Sequence, residues 1–217
     1  MMIAIVKYNA GNIYSVYCAC RRLGYEPVIT DDPEQLRAAD HVIFPGVGEA
    51  RAAMEYLHAK TYTYANGTSE SLADIIRSLR QPVLGICIGM QLMCKHSEEG
   101  DVDCLGVFDA PVERFRPTDN TLKVPQMGWN EIAAFNSESA TAAGVGNRLL
   151  EGIADGSYVY YVHSYRVPVC ANTIATTEYG EQYSAALHKD NFWATQFHPE
   201  KSGSVGERIL KNFIENC

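Results

Sequence analysis

A cysteine with a glycine two residues away on each side is the feature of the sequence that most directly suggests chemistry. Cys87 lies in Gly85-Ile86-Cys87-Ile88-Gly89, between an apolar run typical of a buried strand and a stretch with helical patterning. This is the nucleophile-elbow pattern with Cys in place of Ser, in which a tight strand-to-helix turn lifts the nucleophile out of the sheet. The glycines remove Cβ atoms that would clash in so sharp a bend. The start of the following helix favours a thiolate, and the backbone N–H of Ile88 is placed to stabilise an oxyanion.

A buried structural role is the alternative for Cys87, because cysteine is among the residues most often buried. The other six cysteines (positions 18, 20, 94, 104, 170 and 217) have no regular spacing and form no Cys-x-x-Cys pair. They also form no Cys/His cluster at zinc spacing, so no metal site is predicted. We interpret them as reduced residues that fill apolar space. The two glycines favour the nucleophile interpretation for Cys87 alone.

A thiol nucleophile needs a general base, and the base needs a group that orients it. His198 follows the apolar run at 192–197, and Glu200 stands two residues later. Positions i and i+2 of an extended segment point the same way, so the carboxylate can reach the imidazole. Pro199 between them stiffens that geometry. Open α/β sheets keep their sites at the C-terminal ends of strands, where this pair is expected to lie.

Of the five remaining histidines, one is a candidate site residue and four are not. His163 ends an aromatic strand and is followed by Ser164 and Tyr165, so it remains a candidate site residue. The other four are predicted to be structural, surface or turn residues: His41, His58, His96 and His188.

A glycine-rich segment, Pro45-Gly46-Val47-Gly48, follows a predicted strand that should lie near the Cys87 strand. Such a segment can present backbone N–H groups to a substrate oxygen. Its glycines permit a peptide to flip at little steric cost. Phosphate binding is disfavoured, because the segment lacks the lysine and the length of a P-loop.

The elements that must position these residues are predicted from periodicity. Apolar runs alternate with helical stretches in the first half of the chain, which indicates a parallel sheet covered on both faces. Strands are expected there at 3–6, 27–30, 41–44 and 83–87, with helices at about 12–24, 49–60 and 70–80, a brief one from 32, and another beginning at 90.

After about residue 103 the pattern becomes more antiparallel. Strands are expected at 107–108, 112–115, 131–135, 158–163, 173–176, 185–188 and 192–197, closed by a helix at about 205–216. Residues 61–69 are polar with an Asn-Gly turn signal and are predicted to form an exposed loop. Residues 1–217 are expected to form a single α/β domain with a central mixed, mostly parallel sheet flanked by helices.

Composition limits the classes of partner. The net charge of −8 and the lack of any basic run of five or more residues argue against nucleic-acid binding. The longest apolar runs are far shorter than the roughly 20 residues that span a bilayer, so no membrane partner is expected. The start of the sequence lacks the features of a secretory signal, and we expect a cytoplasmic protein.

Taken together, the motifs resemble a known family. Gly85-Ile-Cys87-Ile-Gly-Met-Gln91, followed by Phe197-His198-Pro-Glu200, is the signature of the class I (triad) glutamine amidotransferases in its usual order. The finer resemblance, over essentially the whole chain, is to the glutaminase subunits of imidazole glycerol phosphate synthase, from histidine biosynthesis. It rests on Tyr8-Asn-Ala-Gly-Asn12, Phe44-Pro-Gly-Val-Gly48, Val124-Pro-Gln-Met-Gly-Trp-Asn130, Val162-His-Ser-Tyr165 and Ala194-Thr-Gln-Phe-His-Pro-Glu-Lys-Ser-Gly203.

The resemblance implies a flavodoxin-like class I glutamine amidotransferase fold and hydrolysis of L-glutamine to glutamate and ammonia, without a cofactor. Cys87 would attack the side-chain amide and form a glutamyl thioester, while Glu200 orients His198 for proton transfer. The implied oxyanion donors are the backbone N–H groups of Ile88 and, after a rearrangement of its peptide, Val47. The implied glutamine-binding residues are Gly48, Gln91, His163, Ser164 and Tyr165.

A partner is also implied by the resemblance. The family forms a heterodimer with a cyclase (barrel) subunit, which uses the ammonia to make imidazole glycerol phosphate and aminoimidazole carboxamide ribotide. Trp129, Tyr160 and Lys201 match positions that face this partner and the ammonia passage. Glutamine turnover is expected to be slow until the partner and its ligand bind, because the segment at 45–48 must first complete the oxyanion hole.

Several alternatives remain open at this point. Glutaminases that serve anthranilate or GMP synthesis usually carry Pro-Gly-Gly where this chain has Pro-Gly-Val-Gly, which favours the histidine branch. The family often has His at Gln126 and Leu at Ile88, and the segment at 61–69 differs from its usual pattern. A triad glutaminase of another synthase, a free-standing cysteine hydrolase and a scaffold without catalysis are the alternatives. The presence of all three triad residues disfavours the last.

Overall fold

The computed structural model describes residues 1–9, 11–117, 121–135 and 148–217. Ala10, within the motif at 8–12, lies outside the described residues. The described strands are β1 Ile3–Val6, β2 Val28–Thr30, β3 His41–Phe44, β4 Thr61–Thr63, β5 Ser69–Ser71, β6 Val83–Ile86, β7 His96–Ser97, β8 Val102–Asp103, β9 Pro111–Arg114, β10 Gln126–Ala134, β11 Ser157–His163, β12 Tyr165–Arg166, β13 Thr173–Glu178, β14 Gln182–Lys189 and β15 Phe192–Thr195. The described α-helices are α1 Ile13–Arg22, α2 Pro33–Ala38, α3 Ala50–Ala59, α4 Leu72–Ser78, α5 Ile88–Leu92 and α6 Gly203–Asn216.

A nine-stranded mixed sheet forms the centre of the molecule, in the order β11-β10-β13-β14-β15-β6-β3-β1-β2. The strands from β15 to β2 pair in parallel, and those from β11 to β15 pair antiparallel. The change of texture predicted after residue 103 is therefore confirmed. The order of the parallel half places β1 between β2 and β3 and continues to β6, which is a doubly wound arrangement.

Both faces of the sheet are covered, and alternation along β1 shows why. Ala4 and Val6 belong to one apolar cluster, together with residues of α2 to α5. Ile3 and Ile5 belong to the other, together with residues of α1 and α6. Successive side chains of a strand point to opposite faces, so a strand in this position must be apolar at every residue.

Two helices begin at the caps that their sequences encode. Asp32 accepts hydrogen bonds from the backbone N–H groups of Glu34 and Gln35, and Pro33 occupies the first turn of α2. Ser71 and Asp74 form a reciprocal capping box at the start of α4. These bonds satisfy N–H groups that have no partner within the helix.

The structure corrects four sequence predictions. Residues 61–69 are not simply a loop, because β4 and β5 pair as a hairpin around Gly67 at φ 82°. Residues 107–108 form no strand, whereas the small sheet β12-β9-β7-β8 includes β7 and β8, which were not predicted. The helix expected from 90 begins at Ile88 and ends at Leu92. Strand β10 begins at Gln126, five residues before its predicted start.

Two further findings concern the helices and the cysteines of the described residues. No helix in the described ranges is long and apolar enough to cross a membrane. All seven cysteines are among the described residues, and all are free thiols.

Candidate active site

Cys87 occupies a strained turn between β6 and α5. Its backbone has φ 54° and ψ −106°, a conformation that costs a non-glycine residue free energy. The turn is held by the N–H of Cys87, which donates to the Thr195 carbonyl at 2.8 Å, and by the Gln91 N–H, which donates to the Cys87 carbonyl at 3.2 Å. Strain that the surrounding structure maintains in this way points to a functional residue.

The two glycines of the elbow are required by close approach of neighbouring backbone. A Cβ at position 89 would lie 2.0 Å from the Phe44 carbonyl oxygen at the end of β3. A Cβ at position 85 would lie 2.9 Å from both the Gly89 carbonyl carbon and the Met93 sulfur. The elbow therefore fits tightly under β3, which confirms the steric reason given for the glycines. Since α5 has only five residues, its dipole is a small contribution to a thiolate at its start.

His198 and Glu200 lie together beyond β15, as predicted. The Nδ1–H of His198 donates to Glu200 Oε1 at 2.8 Å, and both side chains are buried. Asn12 Nδ2 donates to the same carboxylate oxygen at 2.9 Å. His198 Nε2 is buried without a close hydrogen-bond partner among the described residues. This nitrogen faces Cys87, and the interaction with the Cys87 sulfur favours the protonated form of the imidazole.

The electrostatics of this group favour a charged imidazole. Burial alone lowers the pKa of His198, but the Cys87 sulfur and the Glu200 carboxylate outweigh it and raise that pKa to about 10. Hydrogen-bond acceptors on both sides of the ring stabilise its protonated form. An imidazolium beside Cys87 in turn favours the thiolate, which is the reactive form of cysteine.

The segment Pro45–Gly48 lies against the elbow and is held by hydrogen bonds to its carbonyl groups. Tyr8 Oη donates to the Pro45 carbonyl at 2.7 Å, and the Gly11 N–H donates to the Val47 carbonyl at 3.4 Å. A Cβ on Gly46 would collide with the Tyr8 hydroxyl at 2.1 Å, so glycine is needed there. Gly48 has φ 145°, which a side chain would disfavour.

A cavity of about 250 Å³ opens beside Cys87 and contains eight of the predicted site residues. Its lining comprises Val47, Gly48, Cys87, Ile88, Gln91, Glu99, Pro125, Val162, His163, Ser164 and Tyr165. Glu99, Pro125 and Val162 were not predicted. Glu99 is half-buried, its Oε2 accepts from the Ala50 N–H at 3.0 Å, and burial raises the pKa of its carboxyl.

Gln91 and His163 are already engaged with neighbouring protein groups. Gln91 Nε2 donates to the Tyr165 carbonyl at 3.0 Å and to Gln196 Oε1 at 2.9 Å. His163 Nδ1 lies 2.7 Å from the Tyr165 carbonyl, which fixes its proton on Nδ1. Burial lowers the pKa of His163 to about 4, so its imidazole is neutral at pH 7. Gln196 is a contact that the sequence analysis missed.

Trp129, Tyr160 and Lys201 lie outside the cavity, in a cluster on the surface. The Trp129 side chain is 55% exposed, and its ring centroid is 6.0 Å from that of Tyr160. Lys201 Nζ lies 6.0 Å from the centroid of the Tyr160 ring. The exposed side chain of Met127 stands on the same face of β10 as Trp129.

Solved structures share the fold at low sequence identity. A putative GMP synthase component from Thermoplasma acidophilum superposes with a TM-score of 0.66 at 20% identity, over 99% of this chain and 92% of that one. The glutaminase domain of Trypanosoma brucei CTPS with bound acivicin superposes with a TM-score of 0.63 at 17% identity, over 100% of this chain and 95% of that one.

The sequence profile of the class-I glutamine amidotransferase family matches residues 5–217. With the mixed sheet and the elbow cysteine already established, the chain belongs to the class-I glutamine amidotransferases. Within them it falls in the group of the imidazole glycerol phosphate synthase subunits HisH. The HisH subunit of Bacteroides thetaiotaomicron is 55% identical, over 99% of this chain and all of that protein. Those of Yersinia pseudotuberculosis and Escherichia coli K12 are 47% and 44% identical, over the same shares.

Proposed function

We propose that this chain hydrolyses L-glutamine with a Cys87-His198-Glu200 triad and passes the ammonia to a cyclase subunit. The observation that carries the proposal is the alignment of the triad at the cavity. His198 binds Glu200 through Nδ1 and turns its buried Nε2 towards Cys87. A nucleophile, a base and an orienting carboxylate in this order can carry out acyl transfer.

The chemistry follows from these positions. The Cys87 thiolate attacks the side-chain amide carbon of glutamine, and the tetrahedral intermediate collapses to a glutamyl thioester. His198 gives its proton to the departing ammonia and then takes one from the water that hydrolyses the thioester. Glu200 holds the imidazole in the required orientation throughout.

Two backbone N–H groups stabilise the oxyanion in this proposal. Ile88 offers the N–H that follows the nucleophile, as in other elbow sites. The second donor is Val47, whose segment is held by Tyr8 and Gly11 through its carbonyl groups. A rearrangement of that peptide completes the oxyanion hole, which makes hydrolysis dependent on a signal from outside the cavity.

The cavity lining accounts for recognition of glutamine. Gly48, Gln91 and the stretch 163–165 surround the space next to the nucleophile. Glu99 is the carboxylate of the described lining, and we assign it the α-ammonium group of the substrate. The neutral imidazole of His163 adds no charge that would repel that group.

The partner is the cyclase subunit of imidazole glycerol phosphate synthase, in a heterodimer. Support comes from the HisH relatives and from a surface cluster of the exposed Trp129 and Lys201 with the half-buried Tyr160. Ammonia released into neutral water would take up a proton and lose its nucleophilic lone pair, so direct transfer protects the product. Residues 1–217 act as one glutamine amidotransferase domain, in the cytoplasm.

Glutamate release from glutamine, measured with and without the cyclase subunit and its nucleotide ligand, tests the proposal. We expect strong stimulation by the liganded partner and loss of activity in Cys87→Ala. Cys94→Ala is the matched control, because Cys94 is a buried thiol that belongs to the other apolar cluster of the molecule, and this variant should retain stimulation. Rapid hydrolysis that does not depend on a partner would instead indicate a free-standing cysteine hydrolase.

A further inference from the structure

Gln196 is a buried side chain next to the nucleophile that the triad does not use. It follows β15 and is completely buried, with its backbone N–H donating to the Ala185 carbonyl at 2.8 Å. Its side chain has two partners. Oε1 accepts from Gln91 Nε2 at 2.9 Å, and Nε2 donates to Cys87 Sγ at 3.7 Å.

The orientation of the Gln196 amide is determined by a backbone carbonyl. The Tyr165 carbonyl can only accept hydrogen bonds, so Gln91 must turn its NH₂ group towards it. The same NH₂ group of Gln91 donates to Gln196, which therefore directs its oxygen to Gln91. The NH₂ group of Gln196 is left to face Cys87. A flipped amide would place an oxygen against the sulfur and two NH₂ groups against each other.

We propose that Gln196 is a positioning residue that donates an amide N–H to Cys87 Sγ, stabilises the thiolate and is itself oriented by Gln91 in the glutamine-binding cavity. A donor stabilises the charged acceptor more than the neutral one. The thiol also has the Val162 carbonyl at 3.9 Å as an acceptor for its proton. Ionisation removes that bond and strengthens the one from Gln196. This stabilisation of the thiolate adds to that provided by His198, whereas the short helix α5 contributes little.

The titratable groups that face Cys87 are few among the described residues, and the test leaves them unchanged. His198 is the adjacent base, and Tyr8 is also coupled electrostatically to the sulfur. Glu99 and the neutral His163 line the same cavity. A difference caused by substitution of Gln196 therefore reports on the amide contact.

Alkylation of Cys87 by iodoacetamide, resolved by peptide mass spectrometry on the complete chain, measures this contact without glutamine. In Gln196→Met, which keeps the volume but removes the donor, we expect alkylation at pH 7 to slow about tenfold. The pH profile of the rate should also move to higher pH. Gln196→Leu also removes the donor and adds no charge beside the sulfur, so it should slow the reaction to a similar extent.

Two references make the outcome specific. Asn212→Leu removes another buried amide, which donates to the Leu149 and Glu151 carbonyls and not to Cys87, and should leave the rate at Cys87 unchanged. The exposed Cys18 serves as an internal reference in every sample. Wild-type rates and pH profiles in both Gln196 variants would overturn the proposal. If Gln196→Met does not fold, Gln196→Leu decides alone.

The inference rests on the proposed nucleophile, and the same experiment separates the two. Selective alkylation of Cys87 in the wild-type chain supports the nucleophile whatever Gln196 does. Cys87 reacting no faster than Cys18 in the wild-type chain would instead count against the triad itself.

Discussion

A line of hydrogen bonds sets the direction of the His198 imidazole. The Ser15 hydroxyl donates to Asn12 Oδ1, so Asn12 turns its Nδ2 towards Glu200. Glu200 Oε1 then accepts from both Asn12 Nδ2 and His198 Nδ1. With Nδ1 engaged, Nε2 is the nitrogen that can exchange a proton at Cys87. Asn12 stands at the N-cap position of α1, but its side chain makes no capping hydrogen bond and binds Glu200 instead.

Glu200→Gln should lower the pKa of His198, which is raised to about 10 in the wild-type chain. The carboxylate favours the imidazolium, so its neutralisation lets the ring lose its proton at lower pH. The midpoint can be followed by NMR of the labelled imidazole across the neutral and alkaline pH range. Glu99→Gln is the control, because Glu99 has no bond to His198 and should move the midpoint far less. An unchanged midpoint in Glu200→Gln would contradict the assigned role.

Glu99→Gln should raise KM for glutamine by about tenfold and leave kcat nearly unchanged. Loss of a charge-assisted bond to the substrate ammonium weakens ground-state and transition-state binding equally. Steady-state kinetics of the complex with the cyclase subunit measure both constants. Glu98→Gln is a suitable control, since Glu98 pairs with Arg116 at the surface. A fall in kcat at constant KM would assign Glu99 to the chemistry instead.

At the scale of residues, the sequence predicts the groups that lie in short motifs. Cys87, His198 and Glu200 are proposed from the sequence because the elbow glycines and the i, i+2 spacing suggest their roles locally, and the structure brings the three side chains together. Glu99 and Gln196 are missed because their roles depend on distances across the fold. Gln196 stands two residues before His198, yet only the structure shows that its amide reaches Cys87. Glu99 lies in the turn between β7 and β8. Because that hairpin was not predicted, there was no reason in the sequence to single out its carboxylate.

At the scale of elements, the turn from β6 to α5 is the feature on which the site depends. Helix α5 crosses so close to the end of β3 that Gly89 touches the Phe44 carbonyl. This packing holds Cys87 at φ 54° and places the segment Pro45–Gly48, which continues from β3, beside the nucleophile. The parallel pairing of β3 with β6 is what brings the two turns to the same edge of the sheet.

Gly89→Ala should destabilise the protein by at least about 3 kcal/mol, because the new Cβ meets backbone that cannot move aside. Gly67→Ala is the matched control. Its Cβ would meet open space, and only its φ of 82° opposes the change, at a cost of about 1 kcal/mol. Urea unfolding gives both free energies. Equal losses in the two variants would show that the elbow is not tightly packed.

The sequence predicts the elements with strong periodicity and misses those made by context. Strands β1, β3 and β6 are apolar at nearly every position, and their type is confirmed, with β6 ending at Ile86, one residue before its predicted end. The hairpin of β4 and β5 is polar throughout and is stabilised by contacts that no local pattern encodes. Tyr62 donates to the Asp31 carbonyl, and Arg37 pairs with Glu70 at 2.7 Å.

At the scale of the whole molecule, the triad is connected to an exposed face. The backbone N–H of His198 donates to the Tyr160 carbonyl at 2.9 Å, and the backbone N–H of Tyr160 donates to Ser202 Oγ at 2.9 Å. The Tyr160 ring lies against Trp129 and beneath Lys201. A partner bound at Trp129 would therefore lie beside Tyr160 of the neighbouring strand β11, whose backbone carbonyl is bonded to the proposed general base.

Trp129→Ala should reduce stimulation by the cyclase subunit more than tenfold, because exposed tryptophans are frequent binding hot spots. The free energy of unfolding of this variant should change little, since the Trp129 side chain is 55% exposed. Val28→Ala is the control, at an exposed apolar residue on β2, the opposite edge of the sheet. Titration of glutamate release with the cyclase subunit measures the effect. Full stimulation of Trp129→Ala would place the partner on another face.

The most direct test of the central claim is detection of the glutamyl thioester on Cys87. The chain, its cyclase partner and glutamine are mixed, quenched in acid within the first turnover and digested for mass spectrometry. A Cys87 nucleophile gives a glutamyl adduct on the peptide that contains Cys87, and neither adduct nor glutamate release in Cys87→Ala. Glutamine hydrolysis that continues in Cys87→Ala would contradict this role of Cys87, as would an adduct on a different cysteine.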